Sequence, residues 1–252
     1  MKLEILINEI SAFAEKTMKL EICASTYQSA INAQNAGADR IELCQELSIG
    51  GITPSYGLIK QVVEALSIPV FILIRPRSGN FTYSNEEFEI IKKDIQICEN
   101  LGCHGIVSGV LNEDNSIDVK RTKQLIEFSK PLEFTFHRAF DCVSNPLESL
   151  EQLIEIGADR ILTSGLETTA EKGLKQLKQL NKKANNRIAI LPGSGINPKN
   201  AKQFKDAGFT EIHASASKSI QNNVKATVFD VVQKESNVEI MKSILKEIQD
   251  EI

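Results

Sequence analysis

Gly37-Ala38-Asp39-Arg40-Ile41 returns letter for letter as Gly157-Ala158-Asp159-Arg160-Ile161. Looser copies stand at Gly102-Cys103-His104-Gly105-Ile106 and Gly208-Phe209-Thr210-Glu211-Ile212. Each copy follows a stretch of helical periodicity, such as 29–36 or 147–156, and precedes a short apolar run. Helices commonly end on a residue in the left-handed conformation, which Gly adopts without a Cβ penalty. A strand begins a few residues later, as the short αβ loops of α/β units require. A chain that repeats helix, glycine, strand is an alternating α/β chain with a parallel sheet.

Working outward, eight strands are expected at 20–24, 40–44, 70–75, 105–110, 133–138, 160–164, 187–191 and 211–215. Amphipathic helices are expected between them at 27–36, 56–66, 85–101, 119–129, 147–156, 169–184 and 199–207, with an eighth at 238–248. Several carry start signals: Ser84 three residues before Glu87, Asn145-Pro146 and Asn197-Pro198. Eight strands each followed by a helix is the count of a (β/α)8 TIM barrel, for which a chain of about 250 residues is usual. A doubly wound sheet is the structural alternative, but Cys23-Ala24-Ser25-Thr26 lacks the Gly-rich loop expected after its first strand. No Pro- or Ser-rich linker divides the chain, which reads as one α/β domain over 18–252.

Residues 1–17 stand apart. Met1-Lys2-Leu3-Glu4-Ile5 is echoed by Met18-Lys19-Leu20-Glu21-Ile22, so Met18 is a candidate start. Alternatively Leu3, Leu6, Ile7, Ile10 and Phe13 form the apolar stripe of a helix covering the barrel floor. The segment 220–233 is longer than a usual βα loop, and a short extra helix or a partner surface is expected there.

Net charge is −4, which argues against a nucleic-acid partner. No apolar run approaches the roughly 20 residues of a membrane helix. Glu4, Glu9 and Glu15 interrupt what would have to be a secretory signal. Five cysteines in no regular framework fit a reducing compartment, so a cytoplasmic protein is expected.

Barrels of this class carry their sites at the C-terminal ends of the strands, and strand alternation sorts which side chains face inward. Glu21 and Cys23 share one face of strand one, and Glu42 and Cys44 share the matching face of strand two. Strand three ends on Arg75-Pro76-Arg77, strand five on His137-Arg138, and strand eight carries His213 and Ser215. A ring of Glu, Arg and His has two readings. It is either a polar plug inside the core or a pocket for something small.

Pro192-Gly193-Ser194-Gly195 runs toward the expected helix at Asn197-Pro198, where backbone N–H groups can cradle a phosphate or carboxylate. It can equally be a plain turn. Arg75 and Arg77 offer planar forks suited to oxyanions, or partners for Glu21 and Glu42. Ser108-Gly109 and Ser164-Gly165 either admit a ligand or simply make turns. Cys98 and Cys103 read as packing residues and Cys142 as a loop thiol. Cys23 and Cys44 end adjacent strands, which lie about 4.8 Å apart. Two soft thiolates so placed can hold a soft ion such as Cu(I), and two inert buried cysteines are the alternative.

Taken together, Glu21-Ile22-Cys23, the run from Gly37 to Cys44, and Gly50-Gly51-Ile52-Thr53-Pro54-Ser55 resemble the opening of the CutC copper homeostasis family. Ile74-Arg75-Pro76-Arg77-Ser78-Gly79-Asn80-Phe81 and Thr135-Phe136-His137-Arg138-Ala139-Phe140-Asp141 resemble its third- and fifth-strand motifs. Arg160 to Gly165 and His213-Ala214-Ser215-Ala216 complete the set, which runs from about Leu20 to Ser217. The resemblance implies a TIM barrel, a cytosolic location, a role in copper handling and Cu(I) ligands at Cys23 and Cys44. Asn80 departs from it, standing where the motif usually has an acidic residue, and residues 1–17 lie outside it.

Two functions of different class follow. One is a Cu(I)-binding homeostasis protein with Cys23 and Cys44 as ligands. The other is an enzyme for a small phosphorylated or carboxylated metabolite. In the enzyme, Arg75, Arg77, Arg138, Gly193, Ser194, Gly195, His213 and Ser215 would bind the anion. Glu21, Glu42 and His137 would move protons, with Asp141 orienting His137. The expected partners are a copper ion or a small anion, with no nucleic acid and no membrane; a homo-oligomer is compatible with the sequence.

Overall fold

The computed structural model describes residues 18–220 and 234–249. The expected amino-terminal helix and nearly all of the long loop at 220–233 lie outside the described residues.

Eight parallel strands form the barrel: β1 (Lys19–Ala24), β2 (Arg40–Leu43), β3 (Val70–Leu73), β4 (Gly105–Ser108), β5 (Glu133–Phe136), β6 (Arg160–Thr163), β7 (Ala189–Pro192) and β8 (Glu211–Ala214). Their order is β7-β6-β5-β4-β3-β2-β1-β8, and a single parallel bridge between Gly193 and His213 joins the two ends. The helices around them are α1 (Tyr27–Ala36), α2 (Tyr56–Ala65), α3 (Asn85–Asn100), α4 (Val119–Ser129), α5 (Pro146–Glu155), α6 (Leu174–Ala184), α7 (Ala201–Asp206) and α8 (Val238–Ile248). A small antiparallel pair, β9 (Ser217–Ser219) and β10 (Lys234–Ser236), sits beside the C-terminal end of β1.

The duplicated pentapeptide has a use for each letter. Gly37 and Gly157 take φ of +90° and +84° to end α1 and α5. Ala38 and Ala158 are buried. Asp39 Oδ2 accepts the Leu20 N–H and Asp159 Oδ2 the Phe134 N–H, both at 2.8 Å, which fixes the entry of each strand beside its neighbour. Ile41 and Ile161 pack outward into the core between sheet and helices.

The two arginines point into the barrel and build its floor. Arg40 pairs with Glu21 and with Glu211, its Nη2 lying 2.6 Å from Glu211 as a close ion pair outside hydrogen-bond alignment. Arg160 pairs with Glu211 and Glu133, both at 2.9 Å. Their guanidinium carbons lie 5.2 Å and 5.3 Å from the centroid of the Phe71 ring, so one aromatic side chain serves both cations. Gly105 makes room for that ring, since a Cβ there would stand 2.5 Å from it.

Most strands leave the ladder one or two residues before the sequence suggests. Single bonds such as Cys44 N–H to Ala24 O and His137 N–H to Ser108 O continue the pairing as the chain splays at the mouth. β7 starts at Ala189 rather than at 187, because Asn185 and Asn186 hold φ of 48° and 60°. α6 starts at Leu174 rather than at 169. Gly173 lies so close to β6 that a Cβ would stand 1.9 Å from the Ser164 carbonyl oxygen, and the segment before it is a turn.

Candidate functional site

The C-terminal mouth of the barrel opens into a cavity of about 740 Å3. Its wall on the β1–β2 side carries Cys23, Glu42 and Cys44, with His213 from β8 next to them. Cys23 Sγ and Cys44 Sγ lie 3.6 Å apart, beyond the roughly 2.0 Å of a disulfide. All five cysteines are free thiols. The contact with Cys44, together with burial, pushes the Cys23 pKa well up, so the thiol keeps its proton. Phe71, Leu73 and Val107 form one apolar cluster with the two cysteines.

His213 is held by Glu21, whose Oε1 lies 2.7 Å from Nδ1, and presents Nε2 to Glu42 at 3.4 Å. Burial works against a charged Glu21, but Arg40 and the His213 bond outweigh it and hold its pKa down. Burial also opposes protonation of His213, yet the Glu21 bond and the charges of Glu42 and Glu21 raise its pKa. Glu42 has weaker help, from the charges of His213 and Arg40 alone. Burial pushes its carboxyl up to about 7, against the pull of His213. Cys23, Glu42 and His213 each bring one ligand atom into a group spanning no more than 4.8 Å.

The β3–β5 side of the cavity carries Arg75 and His137, with Phe81 from the loop after β3. His137 Nδ1 accepts the Ala139 N–H at 3.3 Å, while Nε2 is buried without a partner. Burial and the nearby Arg75 charge push the His137 pKa down to about 3, so the ring is neutral. Gly109 leaves space for it, since a Cβ there would lie 2.8 Å from Nδ1.

A family model described as the CutC family matches residues 18–218. The chain belongs to the CutC family. A family protein CutC from Proteus mirabilis is 47% identical over 213 residues, covering 83% of this chain and 85% of the relative. The human copper homeostasis protein cutC homolog is 44% identical over 207 residues, covering 82% and 76%. The crystal structure of a CutC protein from Streptococcus agalactiae superposes with a TM-score of 0.74 at 34% identity, covering 79% of this chain and 98% of that one.

In this CutC-family barrel Cys23, Glu42, Cys44, Arg75, His137, Arg138, Ser194, Gly195, His213 and Ser215 all line the cavity, Cys23, Glu42, Cys44 and His213 by strand alternation and Arg138, Ser194 and Gly195 from the turns that follow β5 and β7. Four expected site residues do not. Glu21 lies beneath His213 as its support. Arg77 faces the loop after β3, where it binds Glu87 and the carbonyls of Ser78, Asn80 and Thr82. Asp141 is not the orienter of His137. Its carboxylate accepts from Thr163, from the Ser164 and Leu166 backbone N–H groups, and from Arg138. Gly193 is spent on the β7–β8 bridge, packed where a Cβ would meet Leu162 at 2.5 Å.

Neither Arg75 nor Arg77 pairs with Glu21 or Glu42. Arg40 takes the Glu21 pairing instead, and His213 faces Glu42. The expected helix start beside Gly195 is also displaced. α7 begins only at Ala201, and the Asn197 and Asn200 side-chain amides donate to the Gly195 carbonyl. Sequence reasoning missed Arg40, Arg160 and Glu211 as inward-facing residues. Their signal was present for Arg40, which shares parity with Glu42 and Cys44, and for Glu211, which shares it with His213, while Arg160 is marked by standing at the position of Arg40 in the repeated pentapeptide. Phe81 had no periodic signal, as it lies in a loop.

Proposed function

We propose that this chain takes part in copper homeostasis by binding Cu(I) between Cys23 and Cys44 in the cytosol, with copper as cargo. The observation that carries the reading is the 3.6 Å separation of two free sulfurs on the wall of an open cavity. Soft thiolates suit Cu(I) better than the hard oxygens nearby, and His213 Nε2 can add an imidazole donor once it gives up its proton. The relatives named as copper homeostasis proteins support the same role. Two unlinked thiols at contact distance fit a reducing compartment. Because the Cys23 thiol holds its proton, the ion must displace it, and apparent affinity rises with pH. X-ray absorption on the reduced, copper-loaded protein tests the ligand set. Two sulfur scatterers per copper are expected, and a shell of nitrogen and oxygen alone would refute it.

One observation favours a second reading, an enzyme for a small phosphorylated or carboxylated molecule. Glu42 titrates near neutrality while Glu21 stays ionised, which separates two carboxylates into different roles. Glu42 would exchange a proton with the substrate, and Glu21 would hold His213 in place. The fold alone does not choose the reaction. Any turnover found by screening would titrate near pH 7 and disappear in Glu42→Gln; turnover that survives the substitution counts against this assignment.

A further inference from the structure

Arg75 and His137 each bury a hydrogen-bond donor that the fold leaves unused. Arg75 is 5% exposed and is fixed by neutral groups alone. Its Nη1 donates to the carbonyls of Ile49 and Gly51 at 3.0 Å and 2.8 Å, and its Nη2 to Gly79 at 2.9 Å. Nε is buried without an aligned hydrogen bond, the neutral Tyr83 hydroxyl stands beside the same guanidinium, and among the described residues Arg75 forms no ion pair. A buried guanidinium without a counter-charge is costly, and each buried donor left unpaired adds to the cost.

His137 repeats the pattern. With Nδ1 accepting from Ala139, the ring proton sits on Nε2, the buried atom that has no acceptor. One side chain lies against both residues. The Phe81 ring centroid is 5.0 Å from the Arg75 guanidinium carbon and 4.8 Å from the His137 ring centroid, in an edge contact. Its loop is held by Arg77 at Asn80 and Thr82 and by Arg75 itself at Gly79, so the ring turns by side-chain rotation with those backbone bonds in place. All three residues line the same cavity.

We propose that this wall is a subsite for a small organic oxyanion, a carboxylate or a phosphate, whose oxygens accept from Arg75 Nε and His137 Nε2 once Phe81 turns aside. The charge neutralises Arg75 and the two oxygens complete both donors. A metal cation fits neither group, since each offers only N–H. The inference rests on the second functional reading for its substrate class and names where the charged group sits, but it concerns binding and requires no turnover.

The test is calorimetric titration of the full chain with succinate and, separately, with inorganic phosphate, using glycerol as the uncharged control. Saturable binding of at least one anion is expected, and which arm binds tells carboxylate from phosphate. His137→Phe keeps a ring in place and removes the donor; binding weakens about tenfold or more. Phe81→Ala uncovers the donors and tightens binding. Arg187→Gln removes a cation paired with Glu151, outside the cavity lining, and leaves binding as in the wild type. If His137→Phe does not fold, 15N-labelled wild type decides, because the His137 Nε2 resonance must move with anion saturation. Failure of both anions to bind saturably, an unweakened His137→Phe, or a stationary Nε2 resonance overturns the proposal. Anion binding without turnover in any screen would retire the enzyme reading and leave the subsite standing.

Discussion

The floor and the mouth of this barrel are both polar, and they differ in what their polar groups have left to do. On the floor, Glu21, Arg40, Glu211, Arg160 and Glu133 alternate in sign along one chain of ion pairs, with Phe71 against both arginines. At the mouth, two thiols face each other unlinked, a carboxyl stays protonated up to about 7, and Arg75 and His137 keep unused donors. Buried charge is tolerated when it is paired, so the floor explains itself as structure. Groups left incomplete in a cavity wall need something from outside the chain. Polarity alone does not mark a site, and neither does a lone unpaired atom, since Thr122 Oγ1 and Gln203 Nε2 are unpaired outside the lining; several incomplete groups gathered in one cavity wall do.

The comparison breaks first at Arg40. Arg40→Met strands Glu21 and Glu211 beside fewer partners, and a loss of roughly 3–5 kcal/mol in urea unfolding is expected. A loss under about 1 kcal/mol would mean that the floor is not held by its ion pairs.

Glu42→Gln should act in the opposite direction at high pH. The folded pKa of Glu42 is raised, so ionising it costs stability as pH climbs from the ordinary carboxylate range through about 7. Removing the charge should stabilise the protein above pH 7 by roughly 3 kcal/mol and have little effect near pH 4. Parallel wild-type and variant profiles would show that Glu42 is not forced toward its neutral form.

Gly105→Ala sharpens the floor, because the new methyl meets the Phe71 ring at 2.5 Å. A cost of about 1–3 kcal/mol is expected, largely recovered in Gly105→Ala/Phe71→Leu. Non-recovery would move the cause from the ring to the backbone. The smallest effect belongs to Arg77→Gln, which removes a half-exposed pair with Glu87. A change of about 1 kcal/mol or less is expected, with the copper titration unaltered. A larger change would make the loop after β3 part of the site's support.

The architecture was legible because its signals are local. Helix-ending glycines, caps such as Ser84 with Glu87, and strand parity depend on neighbours in sequence. Parity also brought Cys23, Glu42, Cys44, His137 and His213 to one cavity. Pairing was not legible, because it depends on strand register and on how far a side chain reaches along the ring of strands. Arg40 reaches both its own neighbour on β1 and Glu211 on β8, and that choice set aside the pairings expected of Arg75 and Arg77. Loop geometry was hidden for the same reason. Asp141 turns from His137 toward the end of β6, where Thr163, Ser164 and Leu166 offer it several donors at once.

The most direct test of the copper assignment is an anaerobic Cu(I) titration against a competing chelator, comparing the wild type with Cys23→Ser/Cys44→Ser. One tight equivalent of Cu(I) in the wild type, absent from the double variant, is the result predicted from the paired sulfurs. Weak binding in the wild type, or the same binding in both proteins, would contradict it and leave the unfinished donors of Arg75 and His137 as the reason the cavity exists.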